Sequence, residues 1–118
     1  MSTRAIPVSI HGALEIVAAP AIMATPFVLG FGAAATVISV VLGAVLMGLA
    51  LQLEGPRRSV PLSAHAGFDY VLAATALLGG LAIGLATGEW QAGIFLVGIG
   101  LAMVALTAST RFTAPRGA

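Results

Sequence analysis

IVAAPAIMATPFVLGFGAAATVISVVLGAVLMGLALQL, residues 16–53, is a run of 38 residues without one charged side chain. A helix needs about 20 apolar residues to cross a hydrocarbon core about 30 Å thick. The run is therefore two crossings, divided where Gly30–Phe31–Gly32–Ala33 interrupts it with small residues. Two further apolar stretches follow, so the chain reads as an all-α polytopic membrane protein. Its four transmembrane helices form two tandem helical hairpins of the same orientation.

Composition agrees. Of 118 residues, 59% are hydrophobic and 8% charged, against about 25% charged in soluble domains. A net charge of +1 provides no clustered basic face for nucleic acid. Cysteine is absent, which excludes disulfides, thiolate metal sites and cysteine nucleophiles. The chain is one membrane domain over 1–118, with no room for a soluble catalytic unit. Arg4 before an apolar run imitates a signal peptide, but Glu15 and Pro20 interrupt its core and a second span follows at once.

In order, a short lead carries Arg4 and Pro7. The first span is expected from about His11 to Gly30 and the second from Ala33 to Leu51. A loop over about 54–64 contains Gly55, Pro56, Arg57, Arg58 and Pro61, which stop a helix and hold the next approach extended. The third span is expected from His65 to Ala86, the fourth from Gln91 to Ala108, and a polar tail occupies 109–118. Pro20 and Pro26 predict a kink in the first span. All five positive charges are arginines in the N-terminus, the middle loop and the tail, and neither hairpin turn has one. The positive-inside rule then places both termini in the cytoplasm, with Trp90 and Phe31 as anchors on the outer face.

The chain is also an internal duplication, with repeats over about 11–53 and 65–108. A shift of 54 takes His11 to His65, Glu15 to Asp69, Ala19 to Ala73 and Gly30 to Gly84. One inserted residue in the turn raises the shift to 55, matching Gly43 with Gly98 and Leu46 with Leu101. Same-sense hairpins are related by a pseudo-twofold axis along the membrane normal.

The run Ala24–Thr25–Pro26–Phe27–Val28–Leu29–Gly30–Phe31, followed by a span containing Gly43, resembles the SPW repeat family of small bacterial membrane proteins. That repeat has two transmembrane helices with a Ser-Pro-Trp motif in the first. Thr25–Pro26–Phe27 keeps a hydroxyl, the proline and an aromatic, whereas the second repeat has Gly79–Gly80–Leu81 at that point. The resemblance implies a two-helix membrane unit and brings no activity with it.

His11 and Glu15 are four apart, as are His65 and Asp69, so each pair shares one helix face. Acidic groups at membrane depth are costly and face a bundle interior, a cavity or a partner. One reading is a twofold polar site in the cytoplasmic leaflet that relays protons or holds a cation. The other is that each acid caps its first helical turn, where the dipole favours negative charge. Two histidines at equal depth also suit axial ligation of a haem; no other cofactor is expected. Ala76, Gly80, Gly84 and Gly88 recur every four residues and form a small-residue packing stripe. Ala44 and Gly48 offer a shorter version.

No nucleophile–base pair, metal triad or phosphate loop appears, so catalysis is not expected. The leading expectation is a small non-enzymatic membrane subunit, packed against itself as a homo-oligomer or against a larger membrane complex. The alternative is a proton or small-cation transporter using His11, Glu15, His65 and Asp69.

Overall fold

A computed structural model of the chain describes residues 4–54 and 61–112. Four helices hold nearly all of them: α1 (Val8–Leu29), α2 (Ala33–Glu54), α3 (Leu62–Thr87) and α4 (Trp90–Ala108). All four are long and apolar enough to cross a membrane. Arg57, Arg58 and Arg116, on which the expected topology partly rests, lie outside the described residues.

Prolines set where the odd helices begin. Pro7 (φ −70°, ψ 155°) and Pro61 (φ −59°, ψ 150°) hold the chain extended, and α1 and α3 start at the next residue. Both helices thus start three residues before the expected boundary at the histidine. Each histidine becomes the fourth helical residue and each acid the eighth. α1 continues through Pro20 and Pro26. At the other end, Gly30 (φ 70°) and Gly88 (φ 76°) close α1 and α3 in the left-handed conformation, which glycine adopts without a Cβ penalty. Their N–H groups donate to the carbonyls of Pro26 and Gly84.

The two helix pairs repeat one packing contact, in a different register from the expected one. Gly88, not Gly84, is the counterpart of Gly30, because α3 has 26 residues and α1 has 22. In the even helices the shift is 57 rather than 55. A Cβ on Gly43 would lie 2.9 Å from the Ala19 carbonyl and strike Met23; one on Gly100 would lie 2.9 Å from the Ala73 carbonyl and strike Leu77. Ala19 and Met23 are 54 residues before Ala73 and Leu77, so the same contact occurs twice. Buried pairs follow this register: Ala35 with Ala92, Leu46 with Met103, Ala50 with Thr107.

α1 packs chiefly along α2, and α3 along α4, with a smaller seam between α2 and α3. One apolar cluster around Ala19, Ile22, Leu46, Ala73 and Met103 fills the centre, and a second around Ala35, Ile83 and Leu96 lies nearer the turns. Large apolar side chains such as Val17, Phe27, Val28, Leu78, Leu85 and Ile94 face outward, as expected for helices solvated by lipid. The all-helical expectation gains one addition. Ile6–Pro7 (β1) and Thr110–Arg111 (β2) form a two-residue parallel ladder, and the Ile6 N–H donates to the Ser109 carbonyl at 3.0 Å. This ties the start of α1 to the end of α4.

At the opposite end, Glu89 joins the two turns. Its Oε1 accepts from the Gly32 N–H at 2.8 Å, while its own N–H donates to Thr87 Oγ1 at 3.1 Å. Phe31, expected as an anchor, packs on Phe95 with ring centroids 5.6 Å apart.

Replacing Gly100 by Leu should lower stability by about 1–3 kcal/mol, since the Ala73 backbone cannot move aside cheaply. Gly48 has nothing within 4 Å of an added Cβ, so Gly48→Leu should stay within about 0.5 kcal/mol. Denaturant unfolding in detergent, followed by circular dichroism, separates the two. Equal losses would count against the 57-residue register.

Candidate functional site

The four titratable side chains singled out in the sequence converge near the paired termini. His11 and Glu15 come from α1, His65 and Asp69 from α3. Their relative exposures are 0%, 3%, 0% and 0%. His11 Nε2 lies 2.7 Å from Asp69 Oδ2 and 3.1 Å from Glu15 Oε2. His65 Nε2 lies 3.0 Å from Asp69 Oδ2 and 3.1 Å from Glu15 Oε1. The result is a closed ring in which imidazole and carboxylate alternate. Helical spacing places each pair on one face, and the bundle turns the two faces toward each other.

Hydrogen bonding fixes part of the proton arrangement. The Thr110 hydroxyl donates to the Leu106 carbonyl at 2.6 Å, so its oxygen accepts from His11 Nδ1 at 2.8 Å. The network thus assigns the Nδ1 hydrogen of His11. In a neutral imidazole Nε2 would then carry a lone pair and face two carboxylate oxygens. A proton shared between Nε2 and a carboxylate accounts for the 2.7 Å separation from Asp69 Oδ2.

Capping does not explain the acids. As eighth residues they lie about 10 Å along the helix axis from its start, beyond the first-turn N–H groups. Neither α1 nor α3 has an acidic residue in its first turn or a side-chain cap. Haem ligation does not fit either. The two imidazoles are 5.6 Å apart between centroids at 78°, and both Nε2 atoms point at carboxylates, which leaves no slot for a macrocycle.

Three residues complete the surroundings. Thr110, fully buried, orients His11. The Phe112 ring covers the cluster, with its centroid 5.0 Å from His11 and 6.0 Å from His65. Leu106 supplies the carbonyl that commits the Thr110 proton. These lie at the end of α4 and in the stretch expected to be a polar tail. No sequence periodicity marks them; a Thr and a Phe just beyond a span are the only hint. A groove of about 190 Å³ between α1, α2 and α4, lined by Leu14, Ala18, Ile22, Leu46 and Met103, ends at Glu15.

The small-residue stripe belongs to packing within the chain. Ala76 is buried in the central cluster. An added Cβ on Gly80 would meet the Gly93 carbonyl at 2.7 Å, and one on Gly84 would strike the Trp90 ring. Gly88 is not part of this contact. It has nothing within 4 Å and serves as the left-handed cap of α3. Trp90, expected as an interfacial anchor, is 44% exposed while its ring lies on Gly84.

No family model matches the chain, and no curated protein or solved structure does.

Removing one member of a buried, mutually neutralising set leaves its partners uncompensated, at about 3–5 kcal/mol; replacing the whole set by apolar residues is often neutral or better. Asp69→Leu should therefore destabilise the protein more than simultaneous replacement of His11, Glu15, His65 and Asp69 by Leu or Met. Thermal unfolding in detergent compares them. A quadruple variant weaker than the single one would show that the cluster is held for stability.

Proposed function

We propose that the protein is a four-span bacterial plasma-membrane protein, built as two tandem hairpins with cytoplasmic termini. Its role in this reading is to bind and pass a small cation, protons included, at the ring formed by His11, Glu15, His65 and Asp69. One observation carries the reading: two carboxylates and two imidazoles, almost fully buried, stand with Nε2–O distances of 2.7–3.1 Å.

Several features support a functional rather than a structural ring. Apolar residues of similar volume would stabilise the same place at lower desolvation cost. Asp69 Oδ1 and His65 Nδ1 are buried without a hydrogen-bond partner among the described residues, whereas a polar network that serves stability is fully satisfied. Ionisable groups at membrane depth characteristically mark ion and proton pathways. The likeness of the first repeat to the SPW unit supports the hairpin organisation and adds no activity.

The accessory-subunit reading rests on the apolar character of nearly the whole chain as well as on a glycine stripe that could meet a partner. In the structure Gly80 and Gly84 are occupied by α4, so the stripe no longer speaks for one. A catalytic role has no motivating group beyond this ring, and we assign none.

The test is flux through purified protein in liposomes, with an internal pH-sensitive dye and an imposed potassium diffusion potential. Wild type should collapse the gradient well above the rate of empty liposomes. E15Q with D69N should return it to that rate. Flux that survives both substitutions, or a wild-type rate equal to empty liposomes, would remove the transport reading. A stoichiometric larger partner in the native mass would then restore the subunit.

A further inference from the structure

We infer that the ring is a mononuclear binding site for a divalent transition-metal ion of the Zn²⁺ class, held by His11 Nε2, His65 Nε2, one Glu15 oxygen and Asp69 Oδ2. The inference deepens the cation reading above by naming the ion, and it rests on that reading for its biological role.

Donor count and spacing carry it first. The four side chains each present one ligand atom, and these atoms all lie within 4.8 Å of one another. Zinc takes four N or O donors at about 2.0–2.2 Å in a tetrahedron, whose edges are then about 3.3–3.5 Å. Each histidine Nε2 here lies 2.7–3.1 Å from a carboxylate oxygen of Glu15 and of Asp69, Glu15 meeting His11 through Oε2 and His65 through Oε1. Turning the Glu15 carboxylate so that one oxygen faces both histidines, and drawing the four donors from a ring toward a tetrahedron, asks for side-chain torsions alone, since all four lie within 4.8 Å of one another.

Charge selects the valence. Two carboxylates and two neutral imidazoles sum to −2, and a divalent ion brings the buried set to zero. A monovalent ion would leave a net charge out of water, at a cost of several kcal/mol. Donor type selects within the divalents. Two imidazole nitrogens suit Zn, Fe, Co or Ni, whereas Mg²⁺ and Ca²⁺ require oxygen shells.

The surroundings point the same way. A histidine ligand characteristically donates its other ring N–H to a hydrogen-bond acceptor, which fixes the tautomer and aims the ligating nitrogen. His11 has this arrangement: Nδ1 donates to Thr110 Oγ1 at 2.8 Å, leaving Nε2 as the lone-pair donor inside the ring. Independently, Asp69 Oδ1 has no hydrogen-bond partner among the described residues although its side chain is fully buried. It lies on the carboxylate whose other oxygen both histidines share, so it is available as an additional oxygen donor.

The experiment uses the full chain in mild detergent, with any affinity tag removed, stripped by a chelator and dialysed against micromolar ZnCl₂. About one zinc per chain should remain, undisplaced by millimolar Mg²⁺. X-ray absorption should show a first shell of N and O only, at about 2.0–2.1 Å, with outer-shell scattering from two imidazoles. E15Q with D69N should reduce zinc affinity at least a hundredfold. Thr110→Val keeps all four donors and should weaken zinc about tenfold at unchanged stoichiometry. It and the wild-type spectrum keep the test decisive if the double variant does not fold.

Wild type holding less than a tenth of an equivalent, a spectrum with fewer than two imidazoles, or zinc affinity unchanged in E15Q with D69N would each overturn the inference. Proton flux without zinc binding would overturn this inference alone. Zinc bound by a chain that moves no cation would overturn the transport reading alone.

Discussion

Two carboxylates and two imidazoles lie in a bundle whose other walls are almost wholly apolar, so each group must find its counter-charge within the cluster. That requirement governs how α1 and α3 meet. The extensive backbone packing is between α1 and α2 and between α3 and α4. α1 and α3 approach mainly through side chains long enough to reach across. Apolar residues there would meet without direction and would not fix the angle between the two helix pairs. The ring thus orients one pair against the other in a way that Leu against Leu would not.

The rest of the polar structure serves the two ends. β1 and β2 close the bundle beside the ring and bring Thr110 and Phe112 over it. Glu89 holds the two turns together at the far end through the Gly32 N–H. Between them lie methyl groups and glycines, with Gly43 and Gly100 permitting helix pairs to reach backbone contact. Directional interactions at the ends and close packing in the middle leave little freedom for the pairs to slide. The Nε2–O distances, which tolerate only a few tenths of an ångström, depend on that restriction.

Much of this was legible in the residues, for identifiable reasons. Uncharged runs of about 20 residues have few other stable solutions, so the four helices follow from hydropathy. The repeated His-x-x-x-acid survives as a signal because ionisable residues are rare against an apolar background. Boundaries were less legible. Apolar length alone puts the start of each odd span at its histidine, but Pro7 and Pro61 fix the cap and α1 and α3 begin directly after them. Alignment by apolar identity put the even helices two residues out of register, since Ala, Leu and Gly match cheaply. The close contacts of Gly43 and Gly100 and the matching buried pairs distinguish 57 from 55. Thr110 and Phe112 left only their place just beyond a span, because their role depends on β1–β2 pairing across nearly the whole chain. Nor does any ligand motif appear in one segment: the four donors come from two helices 54 positions apart.

Duplication alone would give a symmetric ring, and this one is not symmetric. Glu15 offers a separate oxygen to each histidine, whereas Asp69 offers both the same one, Oδ2. The difference follows from length. Asp is one methylene shorter than Glu, so from the same helical position its carboxylate has less reach and less freedom to rotate between two partners. The histidines differ as well, since Nδ1 of His11 is tied to Thr110 and Nδ1 of His65 has no partner among the described residues. The single C-terminal strand cannot bond to both helices at once, so the halves had to diverge where it docks. One imidazole is consequently fixed in tautomer and orientation, and the other is restrained only by the ring itself. The duplication brings four like groups to one place; the strand that closes the bundle makes them unequal.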